Sequence, residues 1–140
     1  MILDYNGILS DAQDETTQAA HVSDNVVDLG VAGRRFDPFW YVFRIGTAII
    51  SGGGGTLDIQ LITDSAENMA TTPVVIWDSG VIANATIVAW AVNSVPYVIP
   101  VYYSGAWLRY FGAMYTIGSA AFTAGKWDML PAINVPNPLL

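Results

Sequence analysis

An apolar residue at every second position is the feature that most narrows what this chain can become. In Thr56-Leu57-Asp58-Ile59-Gln60-Leu61 the alternation is strict. Successive side chains of an extended strand point to opposite faces, so Leu57, Ile59 and Leu61 share one face while Asp58 and Gln60 take the other. The run from Phe39 to Ile45 keeps the same period with Phe39, Tyr41, Phe43 and Ile45 on one side and Trp40, Val42 and Arg44 opposite, which makes it apolar on both faces. Val74 to Trp77, Tyr97 to Tyr103, Trp107 to Ile117 and Ala120 to Trp127 are similarly rich in β-branched and aromatic residues. Turn signals separate them at Gly52 to Gly55, Asp78-Ser79-Gly80, Ser104-Gly105 and Gly118-Ser119. Short strands with regular punctuation and no long amphipathic helix predict an all-β domain, a single antiparallel β-sandwich or barrel. Asn84 to Ala91 fits either a strand or a short helix.

Two segments break the pattern. The first thirty residues show little strand character before Asn25-Val26-Val27-Asp28-Leu29. They open with two apolar pairs, Ile2-Leu3 and Ile8-Leu9, set among Asp4, Asp11 and Asp14. No positive n-region, continuous apolar stretch or small-residue cleavage site marks a secretory signal. Asn6 and Gly7 interrupt any helix there. Residues 1–24 therefore read as an extended arm, and an arm needs something to lie on. It either rests against a neighbouring subunit or adds a strand to its own domain or to a sister protomer. The tail, residues 130–140, carries three prolines, Pro131, Pro136 and Pro138. Proline fixes φ and removes a donor, so the tail is expected to run extended, outside any central strand. Its Ile133, Val135, Leu139 and Leu140 would be wasted in water. On this reading the sandwich proper occupies residues 25–129.

Composition bounds the partners. The chain is 140 residues long, 53% hydrophobic and only 12% charged, against roughly 25% charged in an ordinary globular domain. So few charges cannot cover the surface of a single domain, and the surplus apolar area is expected to meet protein. The longest apolar runs, such as Ser94 to Tyr103, contain Pro96 and Pro100 and fall far short of the ~20 residues that span a bilayer. No membrane partner is expected. The net charge is −7, with five scattered bases; phosphate binding draws on clustered Lys and Arg, so nucleic acid is not expected either. The absence of Cys rules out disulfides and fits a protein made in a reducing cytoplasm. Asp4, Asp11, Asp14, Glu15, Asp24 and Asp28 all precede Gly30, forming either an acidic arm drawn to a basic groove or simply solvated loop charge.

The search for chemistry yields little. His21 is the only histidine, so one chain builds no His cluster for zinc and no Cys–His pair, and a Ser–His–Asp triad would lack a nucleophile elbow. Gly52-Gly53-Gly54-Gly55 lacks the Lys-Ser/Thr ending of a phosphate loop and reads as a flexible hairpin tip. Asp58 with Asp64 or Asp78 could pair as a glycosidase acid and base, though solvent-side strand positions explain those acids more simply. Asp24, Asn25 and Asp28 lack calcium-loop spacing, and Asn84-Ala85-Thr86 matches a glycosylation acceptor by pattern alone. At least three of the five Trp are expected in the core. No enzyme, catalytic residue, cofactor or metal is expected.

Several stretches resemble a known family. Met1-Ile2-Leu3-Asp4, Leu9-Ser10-Asp11-Ala12-Gln13 and Val26-Val27-Asp28-Leu29-Gly30 are similar to the start of the Bbp16-type capsid cement proteins of tailed bacteriophages. Leu57 to Asp64 resembles the family's alternating strand, Trp107-Leu108-Arg109-Tyr110 another of its strands, and Gly118 with Phe122-Thr123-Ala124-Gly125 its closing segment. The resemblance spans residues 1 to 128, and Leu130 to Leu140 extends beyond the family's pattern. It implies a jelly-roll-like sandwich, a virion decoration protein on the outside of an assembled icosahedral head that bridges major capsid subunits. It also implies a homo-oligomer, a homodimer or homotrimer. In that setting Ile2, Leu3, Asp4, Ile8, Leu9 and Asp11 of the arm and Ile133, Val135, Leu139 and Leu140 of the tail are the expected contacts to capsid or sister protomer. The alternative function is a carbohydrate- or receptor-binding module on the virion surface, which needs exposed aromatics such as Trp107 or Trp127.

Overall fold

The computed structural model describes residues 2–3, 7–32, 40–101, 105 and 107–133, with residues 2, 3 and 133 described by backbone alone. Among them are strands β1 (Ile2–Leu3), β2 (Ser10–Gln13), β3 (Ala20–Val22), β4 (Val27–Asp28), β5 (Trp40–Ile50), β6 (Thr56–Asp64) and β7 (Val74–Ile82), the short helix α1 (Asn84–Ile87), and strands β8 (Tyr97–Pro100), β9 (Tyr110–Gly118) and β10 (Ala124–Ile133). They form two antiparallel sheets. The first runs β1-β10-β5-β8 with β2 also paired to β10; the second runs β3-β9-β6-β7 with β4 also paired to β9. If β1 with β2 and β3 with β4 each count as one broken strand, eight strands read 1-8-3-6 and 2-7-4-5. Among the described strands, counted in this way, only the β6–β7 connection stays within one sheet; the others cross between sheets. The antiparallel sandwich predicted from period two is what forms, and the jelly-roll-like reading rests on this eight-strand order.

The core fills the space between the sheets. Leu57, Ile59 and Leu61 of β6 have no exposed surface, and neither do Tyr41, Phe43 and Ile45 of β5, which are the inward sets the alternation picks out. Phe43 sits at the centre of an aromatic group, with ring centroids 6.3 Å from Tyr115 and 6.2 Å from Trp127. Tyr115 and Trp127 meet edge-on at 5.2 Å, an arrangement that adds to area burial. Val42, on the other face of β5, and its cross-strand partner Leu130 are buried too, as expected of a strand apolar on both sides. Trp107 and Trp127 are buried; Trp77 and Trp90 are half-buried and pack against the core.

Several expectations are corrected. The boundaries of 25–129 for the sandwich are too narrow at both ends: β2 and β3, inside the supposed arm, join the two sheets, and β10 runs through Pro131 to Ile133. Proline is tolerated in this interior strand because of backbone parity. Met129 O accepts the N–H of Leu9 at 3.0 Å, so residues of the same parity, Pro131 among them, turn their backbone nitrogen away from β5. On that side β2 pairs only as far as Met129 and β1 resumes at Ala132, so the missing donor falls in the gap between the two ladders. Gly52 to Gly55 is not a hairpin tip, because it carries the chain from β5 in one sheet to β6 in the other. Gly55 there is buried, and a Cβ on it would lie 2.5 Å from Ala120 O and 2.9 Å from Phe122 Cε1. The ambiguous stretch from Asn84 forms one helical turn that buries Ile87.

Candidate functional site

The ends of the chain come together along β10. Ile2 pairs with Ile133 and Leu3 with Ala132, while Ser10 and Gln13 of β2 pair with Met129 and Trp127. Between these two short strands Gly7 O accepts a hydrogen bond from the Tyr41 hydroxyl at 2.7 Å. Leu9 has no exposed surface; its N–H donates to Met129 O and its carbonyl accepts from Asn25 N at 2.9 Å. The residue expected to anchor an arm on a foreign subunit is instead part of this chain's own core, and that expectation is corrected. Ile8 is half-buried and Asp11 exposed. Asp4, Val135, Leu139 and Leu140 lie outside the described residues.

Polar groups fasten this seam. Ser10 and Gln13 are buried, and a buried hydroxyl or amide must find partners inside the protein. The Ser10 hydroxyl bonds to Gln13 Oε1 and meets the Tyr115 hydroxyl of β9 at 2.8 Å. Gln13 Nε2 donates to Val22 O at 3.0 Å, joining β2 in one sheet to β3 in the other. Burial pushes the Tyr115 hydroxyl well above the usual tyrosine range, and it stays protonated. Asp128, also buried, accepts from the backbone N–H of Ala12 at 2.6 Å and from Arg44 Nε and Nη2 at 2.9 and 2.6 Å. Ala12 needs that hold, because its φ of 52° lies in the left-handed region.

The early acids divide by partner. Asp14 faces Lys126 at 3.6 Å and Glu15 meets His21 Nδ1 at 2.9 Å. Asp28 makes a two-point contact with Arg109, which holds its carboxyl down at about 2. Asp24 is pushed up, first by partial burial and then by the negative charge of Glu15. The three described bases, Arg44, Arg109 and Lys126, are thus each engaged with an acid, and Asp11 and Asp24 keep the acidic excess on the N-terminal edge.

The chemical candidates separate as well. Asp58 and Asp78 share a direct hydrogen bond, whereas a glycosidase pair stands about 5 Å or more apart to admit the sugar. Asp64 is a structural hub: burial would raise its pKa, but N–H donors from Thr72, Ala66 and Thr71 outweigh that and lower it. No group of three His, Cys, Asp or Glu that could hold a metal occurs among the described residues. Trp107 and Trp127 are 3% and 0% exposed, so neither ring is available to stack on a sugar, and that expectation is corrected. The sequence did not single out Ser10, Gln13, Arg44, Tyr115 and Asp128 as a group. Of these, only Ser10 and Gln13 carry a sequence signal, as part of the Leu9 to Gln13 run in the family resemblance, and that run reads as extended arm.

The exterior is not wholly hydrophilic. Val31, Ile50, Val75, Val81, Val88, Val92 and Val95 are exposed, Val81 at 73%. The family model described as Bbp16 matches residues 9–130, from the buried Leu9 to Leu130, which stands opposite Val42 where β10 pairs with β5. No curated protein matches the chain.

Proposed function

The chain belongs to the Bbp16 family of bacteriophage proteins, and from that membership we propose that it is a capsid cement protein. It binds the outside of the assembled head and bridges neighbouring major capsid subunits. The observation that carries this reading is the family match over residues 9–130, which takes in both sheets. The surface is in keeping with it. Exposed aliphatics provide area to bury, and the unpaired acids of the N-terminal edge suit a basic partner surface. The contacts assigned to this role are Asp11 and Ile8, the paired ends Ile2, Leu3 and Ile133, and Asp4, Val135, Leu139 and Leu140 beyond the described residues; Leu9 is withdrawn from the set. Sister protomers in a homodimer or homotrimer share the load. A standard contact of ~1,600 Å² is modest once ordering costs are subtracted, but repetition over a closed shell multiplies it.

The test is to add purified chain to heads that lack it. Saturable co-sedimentation and a higher temperature of DNA release are expected. Heads that bind no chain, or bind it without any gain in heat resistance, would contradict the role.

A further inference from the structure

The outward face of the second sheet carries a pair of acids that the cement role does not use. β7 is hydrogen-bonded to β6 on one side and to no described strand on the other. Val81 stands opposite Asp58 and Asp78 opposite Gln60, so Ser79 and Gly80 together oppose Ile59 alone, a β-bulge. Side chains hold the bulge where the ladder is interrupted. Ile59 N donates to Ser79 Oγ at 3.0 Å, Gly80 N donates to Asp78 Oδ1 at 2.6 Å, and Gln60 Nε2 donates to Asp78 Oδ2 at 3.1 Å. Gly80 takes a φ of +69° that suits glycine. Asp58 bonds to Asp78 carboxyl to carboxyl, and its Oδ1 is buried with no hydrogen-bond partner. Two carboxyl groups hydrogen-bond only when one of them carries a proton. Among the described residues no neighbour supplies a compensating charge: β9 sets Thr116 opposite Asp58 and Met114 opposite Gln60, and the described bases are bound to Asp128, Asp28 and Asp14.

We propose that Asp58 and Asp78 form a proton-dependent clasp on the β7 edge, closed when they share one proton and loosened when both are ionised. Burial, then Asp78, raises the Asp58 carboxyl, so its contribution is full below the ordinary aspartate value of about 3.9 and is lost as pH rises through the raised value. The Gly80 N–H lowers Asp78, against an opposing effect of burial, so its contribution is lost only as pH falls through the lowered value. The clasp is therefore closed between the two and opens towards neutrality. Bulges blunt an edge strand against pairing with another chain, so a proton sets how firmly this edge is blunted.

Hydrogen exchange of the full chain at pH 4.5 and pH 7, with rates normalised to the intrinsic rate at each pH, tests this. Amides of Val74 to Ile82 are expected to lose protection at pH 7, on the order of tenfold, while amides of β10 change much less. Asp58→Asn keeps a donor without the charge and is expected to abolish the difference, as is Asp78→Asn. Equal protection of β7 at both pH values in the unmodified chain, or a full pH difference persisting in both variants, would overturn the proposal.

Discussion

Truncating Leu9 to Ala distinguishes a segment that belongs to the sandwich from an arm that only borders it. The side chain has no exposed surface and lies in the same cluster as Tyr41, Phe111 and Met129. Its backbone bonds to Met129 and Asn25 survive the change, so the effect is the lost burial plus the cavity left behind. Buried Leu→Ala changes cost about 2–5 kcal/mol, a large share of the roughly 5–15 kcal/mol that holds a domain. For a chain of this length that lowers Tm by roughly 7–17 °C. Ile8→Ala, at the neighbouring half-buried position, is expected to lose less than half as much. Thermal unfolding followed by circular dichroism, at fixed protein concentration so that any oligomer contributes equally, measures both. If Leu9→Ala melted within a degree or two of the unmodified chain and yet lost binding to heads, Leu9 would be an external anchor and the seam described above would be wrong.

Two further substitutions follow from local geometry. Gly55→Ala forces a methyl against Ala120 O and Phe122 and is expected to cost about 1–3 kcal/mol. Gly52→Ala, where nothing lies within 4 Å, is the neutral control in the same denaturation series. Asp64→Asn removes a charge that accepts several backbone N–H bonds. Because the Asp64 pKa is lowered on folding, its contribution is present above about 3.9 and fades as pH falls through the lowered value. The variant is expected to be about 1–3 kcal/mol less stable at pH 7 and to lose less between pH 5 and pH 2 than the unmodified chain, read from urea midpoints across that range.

The long strands were legible because their signal is local. Leu57, Ile59 and Leu61 alternate with polar neighbours, and the apolar–apolar pattern around Tyr41 to Ile45 marks a strand covered on both sides. What the sequence hid is non-local. Ser10 and Gln13 read as part of an extended arm, and their burial is tolerated because Tyr115, distant in the chain, and Val22 on the opposite sheet complete their hydrogen bonds. Asp128 and Arg44 are unremarkable surface types until registration of β10 on β5 sets them opposite each other. Gly52 to Gly55 announces a change of direction, but whether the chain returns to its own sheet or crosses to the other depends on which strands pair later. Ile8 and Leu9 have the same character: they are alike in kind, yet Leu9 has no exposed surface and its N–H donates to Met129 O, whereas Ile8 is half-buried.

A cryo-electron microscopy map of intact particles tests the cement role most directly. It is expected to show this sandwich on the outer surface of the head, with the β1–β10 corner and the exposed N-terminal edge lying across a seam between major capsid subunits. Particles whose outer shell lacks the sandwich, or where each copy touches one capsid subunit alone, would contradict it.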